Sequence, residues 1–117
     1  MIIGDFNVKV GEDQLDNWPN VSGKYGLGNS NQRGQELLQF CAINGLTVSN
    51  TLFRHSMKRR ATWISPDNQT LNQIDYIIIK EIWKPKLKNC RAFYSAEIGS
   101  DHFLLFANFV ISPKKTK

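Results

Sequence analysis

The chain has 117 residues, of which 41% are hydrophobic, and its formal net charge is +5. This composition is typical of one small globular domain and excludes a disordered chain. No apolar run approaches the length of a membrane span, and the first residues lack the layout of a signal peptide. There are two cysteines, and Cys41 lies in an apolar helical stretch that favours a free core thiol. We therefore expect an intracellular protein in a reducing compartment.

The elements of the first half alternate with polar loops. Residues 1–3 are apolar and predict a short buried strand, which runs directly into Gly4, Asp5, Phe6 and Asn7. Residues 11–29 are rich in Gly, Asn and Asp and predict a long loop. Residues 32–44 carry one apolar stripe and predict a helix that Gly45 ends, and residues 46–52 predict a strand.

The second half predicts strands separated by short polar segments. Its predicted strands are residues 60–65, 74–80, 90–96 and 103–111, with a turn at 66–69 and an irregular connection at 83–89. Residues 74–80 are apolar on both faces, which indicates a central strand. The pattern predicts an α+β or layered α/β domain over residues 1–112, followed by a basic tail, 113–117, with no internal domain boundary.

Charge is unevenly distributed along the chain. Residues 1–53 carry three basic against five acidic residues, a net charge of −2, whereas residues 54–117 carry twelve against five, a net of +7. The second half is therefore a plausible surface for a polyanion such as nucleic acid. The alternative is that a mildly basic surface serves solubility alone.

Polar residues cluster at the ends of three predicted strands. In an extended chain Asp5 and Asn7 point to the same side, although Gly, Asp and Asn also form ordinary turns. Asp75 stands within an apolar run, so its carboxylate needs a fixed partner, which could be His102 or merely Tyr and backbone groups. Asp101 directly precedes His102. Asp101 could instead cap a turn, and His102 could instead be a structural histidine with its hydrogen bonds satisfied.

Antiparallel strands would bring these clusters to one edge of a sheet. Oxygen ligands from Asp5, Asn7 and Asp101 suit Mg²⁺ or Mn²⁺, and no Cys/His spacing indicates zinc. A carboxylate behind an imidazole fixes its tautomer, which is the role we expect for Asp75 behind His102. A divalent ion beside that histidine is what phosphodiester cleavage needs.

Three motifs in this order, GDFN at 4–7, NQIDY at 72–76 and GSDH at 99–102, resemble the endonuclease/exonuclease/phosphatase superfamily. Within it, residues 24–75 are similar to the apurinic-type endonucleases of non-LTR retrotransposons of the RTE/BovB kind and to craniofacial development protein 2-like proteins. The resemblance implies that Asp5 orients the attacking water, Asn7 contacts the scissile phosphate and Asp101 belongs to the metal site. It places Asp75 behind His102, and leaves open whether His102 or Asp5 is the general base.

The resemblance implies a fold that is half of a four-layered α/β sandwich, with one mostly antiparallel mixed sheet and a covering helix. Only the second half of the family domain is expected here, without the glutamate that is the family's firmest metal ligand. We therefore expect a fragment with an incomplete Mg²⁺ or Mn²⁺ site and little activity in isolation. Its expected partners are double-stranded DNA, the missing N-terminal half-domain or a second copy through self-association or domain swapping, and not a membrane.

The expected DNA-facing surface comes from two segments around the second motif. Its residues are Lys58, Arg59, Arg60, Trp63, Asn72 and Gln73. Basic side chains would bind phosphates, while Trp63 could either pack on a sugar or base or lie in the core. The expected activity is hydrolysis of a DNA phosphodiester bond to leave a 3′-hydroxyl nick in the nucleus. The alternatives are a non-catalytic nucleic-acid or protein-binding half-domain, and an abasic-site repair nuclease.

Overall fold

The computed structural model of the chain describes residues 8–13, 17–67, 69–94 and 103–110, together with the backbone of residues 2–5. Asn7, Asp101 and His102 lie outside the described residues, and so does the side chain of Asp5. The expectations for these four side chains therefore stay predictions. The same holds for the basic tail at 113–117.

Small antiparallel sheets and two helices make up the described fold, which confirms the α+β class. The strands are β1 (Ile2–Asp5), β2 (Leu46–Val48), β3 (Trp63–Ile64), β4 (Leu71–Asn72), β5 (Asp75–Lys80), β6 (Leu87–Phe93) and β7 (Leu104–Phe109). The helices are α1 (Gln32–Ile43) and α2 (Met57–Arg60), with 3₁₀ turns at Ser49–Thr51 and Glu81–Lys86. Within this part of the chain, no helix has the length and apolar character needed to cross a bilayer.

β5 is the central strand of the main sheet, as its apolar sequence predicts. It pairs antiparallel with β1 on one side and with β2 on the other. Ile77, Ile78 and Ile79 are at most 3% exposed. Since successive side chains of a strand point to opposite faces, burial of all three means that both faces of the sheet are covered.

Helix α1 covers one of these faces, and it begins and ends where its sequence predicts. Asn31 caps its start, because the side-chain Oδ1 accepts a hydrogen bond from the Gly34 N–H at 2.7 Å. Its end is followed by Gly45, whose φ of +63° is the left-handed conformation that favours glycine. The apolar stripe packs Leu38 and Cys41 into one core cluster with β2 and β5, which confirms Cys41 as a free, buried thiol.

The ribbon formed by β6 and β7 covers the other face. Ile77 and Ile79 of β5 pack there against Leu87 and Cys90 of β6. The expectation of a single mixed sheet was wrong for the described strands, which form three separate antiparallel sheets: β1-β5-β2, β3-β4 and β6-β7. The reason is that β1 and β2 occupy both edges of β5, so the ribbon packs on its face.

Several element boundaries differ from those predicted. The strand expected at 46–52 ends at Val48, because side-chain hydrogen bonds turn the chain into a 3₁₀ helix. Ser49 Oγ donates to the carbonyl of Ile77 at 2.6 Å, and Thr51 Oγ1 donates to that of Val48 at 2.7 Å. The segment at 83–89 is also more regular than expected, since a 3₁₀ helix leads directly into β6.

Candidate functional site

The ends of β1 and β5 bring two of the predicted site residues together in the backbone. In the antiparallel register Asp5 lies opposite Asp75, and Gly4 lies opposite Tyr76. Asp5 is the last residue of β1 and Asp75 is the first of β5, so both lie at the same edge of the sheet. This is the edge at which the sequence places the candidate site.

The backbone of Asp75 is held by two polar side chains from other segments. Its N–H donates to Thr62 Oγ1 at 3.0 Å, and its carbonyl accepts from Asn50 Nδ2 at 2.9 Å. The Thr62 hydroxyl also accepts from the Ile74 N–H at 2.9 Å, and Asn50 Oδ1 accepts from the Ile77 N–H at 3.3 Å. Thr62 is fully buried and Asn50 is 3% exposed. Neither side chain can therefore make its hydrogen bonds to water instead. Both side chains bond to the backbone and fix the start of β5.

Thr62 also holds the residue that follows His102 in the sequence. The Phe103 N–H donates to the Thr62 carbonyl at 2.7 Å, and the Thr62 N–H donates to the Asn72 carbonyl at 2.8 Å. One buried residue thus joins the starts of β5 and of the segment leading into β7. This role is not predictable from the sequence, because a threonine beside a tryptophan carries no signal that its hydroxyl will accept hydrogen bonds from two backbone amides.

Gln73 is placed differently from the expectation that it reaches DNA. Its side chain is fully buried, and Nε2 donates to the Arg60 carbonyl at 3.1 Å. Oε1 has no hydrogen-bond partner among the described residues. A buried amide cannot contact DNA in this conformation, so Gln73 acts here as a link between α2 and the turn before β5.

The three consecutive basic residues of α2 have different surroundings. Lys58 and Arg59 are exposed, and they line separate depressions of the surface. Arg60 is half-buried, and its guanidinium lies 3.5 Å from the carbonyl of Gly26. Only Lys58 and Arg59 therefore present their charge fully to solvent.

The remaining predicted DNA contacts lie on the β3–β4 hairpin. Trp63 is paired with Asn72 across this hairpin, and both side chains are half-buried. Ile64 and Leu71, the next pair, pack against the core cluster around Ala61 and Phe103. Since neighbouring residues of a strand point to opposite faces, the pair Trp63 and Asn72 belongs to the other face of the hairpin.

The metal ligands expected from the sequence are Asp5, Asn7 and Asp101, whose side chains are not among those described. Among the side chains that are described, no group of three or more His, Cys, Asp or Glu residues could hold a metal ion. The expected ligands offer carboxylate and amide oxygens, which are the donors that Mg²⁺ prefers. The chemistry of this donor set therefore fits the ion.

The buried phenol of Tyr76, next to Asp75, is held in its neutral form. Burial raises the pKa of Tyr76 well above its usual range. Its hydroxyl accepts from the Val10 N–H at 2.9 Å and donates to the Gln73 carbonyl at 2.7 Å. Tyr76 therefore ties β5 to the segment that follows β1, and it serves structure rather than proton transfer.

Two known proteins that share one name are similar to this chain. Craniofacial development protein 2 of Bos taurus and that of Tragulus javanicus are each 42% identical to this chain over 120 residues, or 99% of the chain. The chain is homologous to part of craniofacial development protein 2. It spans about a fifth of the length of these relatives, 20% in both cases. No protein-family model matches the sequence, and no solved structure matches it.

Proposed function

We propose that this chain is the second half of a Mg²⁺-dependent DNA endonuclease domain of the endonuclease/exonuclease/phosphatase superfamily. The observation that supports it best is the register that sets Asp5 opposite Asp75. Two motifs separated by about seventy residues, GDFN and NQIDY, thereby meet at one edge of the sheet. The homology to craniofacial development protein 2 agrees with the resemblance on which this proposal rests, and the relative's name states no chemistry.

Each site residue has a role in the proposed reaction. Asp5, Asn7 and Asp101 would hold Mg²⁺ or Mn²⁺, which supplies charge stabilisation for the phosphoryl and leaving oxygens when bound. Asp75 would accept a hydrogen bond from His102 and orient the imidazole. Either His102 or Asp5 would accept the proton of the attacking water, and Asn7 would hold the scissile phosphate by its amide. The product is a nick with a 3′-hydroxyl. The proposed endonuclease acts in the nucleus.

Activity in this proposal requires more than the present chain. The superfamily that the chain resembles uses a glutamate from the first half of its domain to complete the metal site. We infer that another part of a longer protein supplies it, in cis or as a partner, and that the chain alone nicks DNA weakly or not at all.

A plasmid-nicking assay with Mg²⁺ tests both parts of this proposal. The chain alone is compared with a chimera in which it replaces the matched fifth of the Bos taurus relative. We expect nicking by the chimera, loss with EDTA, and a fall of about 100-fold or more in His102→Ala, since general acid–base groups contribute that much. Lys80→Ala, on the exposed end of β5, is the matched control and should not change the rate.

Two results would overturn the proposal in different ways. Strong nicking by the chain alone, abolished in His102→Ala, would show that no further segment is needed. A chimera that neither nicks intact duplex nor cleaves an abasic oligonucleotide would refute the endonuclease function itself. Preference for the abasic oligonucleotide would favour a repair nuclease. Extension of the nick by a polymerase without prior phosphatase treatment tests for the 3′-hydroxyl.

A specific observation favours a second candidate, a non-catalytic binding half-domain. The outer face of the β6–β7 ribbon exposes Phe93, Leu104 and Phe106, which are 43%, 46% and 50% exposed. An apolar sheet face of this kind suits contact with another protein surface. Nucleic-acid or protein binding that needs no metal and is unchanged in Asp5→Ala, together with a chimera that does not nick, would support this candidate.

A further inference from the structure

We propose that Arg54, His55, Ser56 and Arg59 form a second phosphate-binding site, separate from the one proposed for the scissile phosphate. The four residues line a depression of about 640 Å³ that is open to solvent. It shares no residue with the edge formed by Asp5 and Asp75. Its identification with the DNA backbone rests on the proposed function, whereas its affinity for a phosphate group follows from its own chemistry.

Among the described residues, the lining offers the hydrogen-bond donors of two arginines and a serine and no competing carboxylate. The four lining residues carry two guanidinium groups, one imidazole and one hydroxyl, and none of the four is acidic. Arg54, Ser56 and Arg59 are exposed, so their donors are accessible. Arginine forks bind the oxygens of a phosphate through paired N–H groups, which makes two of them at one depression a strong anion site.

The local backbone brings these residues together. Ser56 is the N-cap of α2, and its carbonyl accepts from the N–H groups of Arg59 and Arg60 at 3.0 and 3.1 Å. This single turn returns Arg59 to the same side as the residues that precede the helix. A depression lined by residues 54, 55, 56 and 59 follows directly from that turn.

The histidine of the site is fixed by β6. His55 Nε2 lies 2.7 Å from Asn89 Oδ1. Because an amide oxygen only accepts, Nε2 carries the hydrogen in this pair and Nδ1 of the neutral ring is an acceptor, so the groups of the site that donate to a phosphate are the two arginines and Ser56. The ring is held in place before any ligand arrives, which lowers the entropic cost of binding.

The charge distribution favours a polyanion over an isolated anion as the ligand. The site lies at the start of the segment 54–117, which has a net charge of +7. Lys58, on the same short helix, is also exposed. The phosphates of a DNA backbone lie next to one another, so the neighbouring cations can attract several of them at once. The positive charge of this segment therefore strengthens the binding of DNA more than that of free phosphate.

The test is the salt dependence of duplex-DNA binding in EDTA, where cleavage cannot occur. Arg54→Ala/Arg59→Ala is compared with Lys80→Ala/Lys86→Ala, which removes the same charge from exposed positions outside the depression. The binding constant K falls as salt rises, so the slope of log K against log salt is negative. Loss of one phosphate contact should make this slope less steep by about 0.9. We expect this change in the arginine variant and not in the lysine variant. Equal slopes in the two variants would overturn the assignment to DNA.

A second measurement tests the site without DNA. Inorganic phosphate is titrated while NMR follows the side-chain signals of Arg54, His55 and Arg59. Saturable shifts in the unsubstituted protein support the site if the shift of His55 is lost in the arginine variant, and absence of any shift together with equal salt slopes overturns it. Shifts with equal salt slopes identify free phosphate as the ligand instead of DNA. Because neither measurement requires nicking, a chimera that fails to cleave leaves the outcome for this site unaffected.

Discussion

Thr62 and Asp75 are joined by a hydrogen bond in which the Asp75 N–H donates to the Thr62 hydroxyl at 3.0 Å. The same hydroxyl accepts from the Ile74 N–H, and the Thr62 carbonyl accepts from the Phe103 N–H. Two residues of the second motif and the residue that follows the third are thus fixed by one buried side chain and its own backbone. The geometry of the candidate site depends on this residue, although Thr62 belongs to none of the three motifs.

Replacing Thr62 by valine should destabilise the protein by about 2 kcal/mol or more. Valine has the same shape but cannot accept, so two amides at the start of β5 lose their partner, and an unsatisfied buried donor costs about 1–3 kcal/mol. Thr62→Ser keeps the hydroxyl and loses only a methyl group, which should cost about 1 kcal/mol. Urea unfolding measures both variants. A Thr62→Val protein as stable as the unsubstituted protein would show that the hydroxyl contributes nothing.

Replacing Tyr76 by phenylalanine should cost about 1–3 kcal/mol of unfolding free energy. The change leaves the Val10 N–H without its acceptor, and Val10 is fully buried. Tyr94→Phe is the matched control, because Tyr94 is 46% exposed and should change stability by less than about 0.5 kcal/mol. A Tyr76→Phe protein as stable as this control would contradict the linking role of the Tyr76 hydroxyl.

The elements that the sequence predicted well are those whose signal is local. Helix α1 was predicted from an apolar stripe and from a glycine after its end, and each of these signals acts within a few residues. β5 has an uninterrupted apolar run, which fits burial on both faces. Local propensity and tertiary packing agree in both elements, so the prediction was confirmed.

What the sequence did not predict depends on contacts between distant residues. The early end of β2 comes from Ser49, whose hydroxyl reaches the Ile77 carbonyl. Burial of Gln73 likewise depends on the Arg60 carbonyl, thirteen residues earlier. From sequence alone, a polar residue beside a motif is interpreted as a ligand contact. Only the folded structure shows that its side chain instead makes a hydrogen bond to a backbone group. The sequence predicted that Asp5 and Asp75 lie at the same edge of a sheet. It did not predict the strand register that places them directly opposite each other.

Gly34→Ala should destabilise the protein severely, by about 3 kcal/mol or more, as expected for a change that forces the backbone to move. A Cβ at Gly34 would lie 1.7 Å from the carbonyl oxygen of Lys9, which is backbone and cannot rotate away. The first turn of α1 would then have to leave the segment that follows β1. Thermal unfolding measures the loss.

Gly45→Ala separates this effect from a general intolerance of alanine. No atom of the described residues lies within 4 Å of a Cβ at Gly45, so the expected cost is that of its φ of +63°, about 1–2 kcal/mol. Gly34→Ala should therefore unfold at clearly lower temperature than Gly45→Ala. The reverse order would mean that the close approach of α1 to Lys9 does not constrain the fold.

Stability should fall as the pH rises from about 9 to about 11. Burial raises the pKa of the Cys41 thiol from 9.0 to about 11, and the pKa of Cys90 also rises to about 11 because of burial. In this window the unfolded chain has lost protons that the folded chain still holds, so rising pH favours unfolding. Below about pH 9 the thiols are protonated in both states, and their contribution is constant.

Urea unfolding at a series of pH values between 7 and 11 measures this dependence. A Cys41→Ala/Cys90→Ala variant is less stable at every pH because it loses buried volume, so the informative quantity is the slope against pH. The slope should be shallower than in the unsubstituted protein. The part that remains is expected from Tyr76, whose pKa burial also raises. An identical slope in both proteins would show that the two thiols ionise equally readily in the folded and unfolded states.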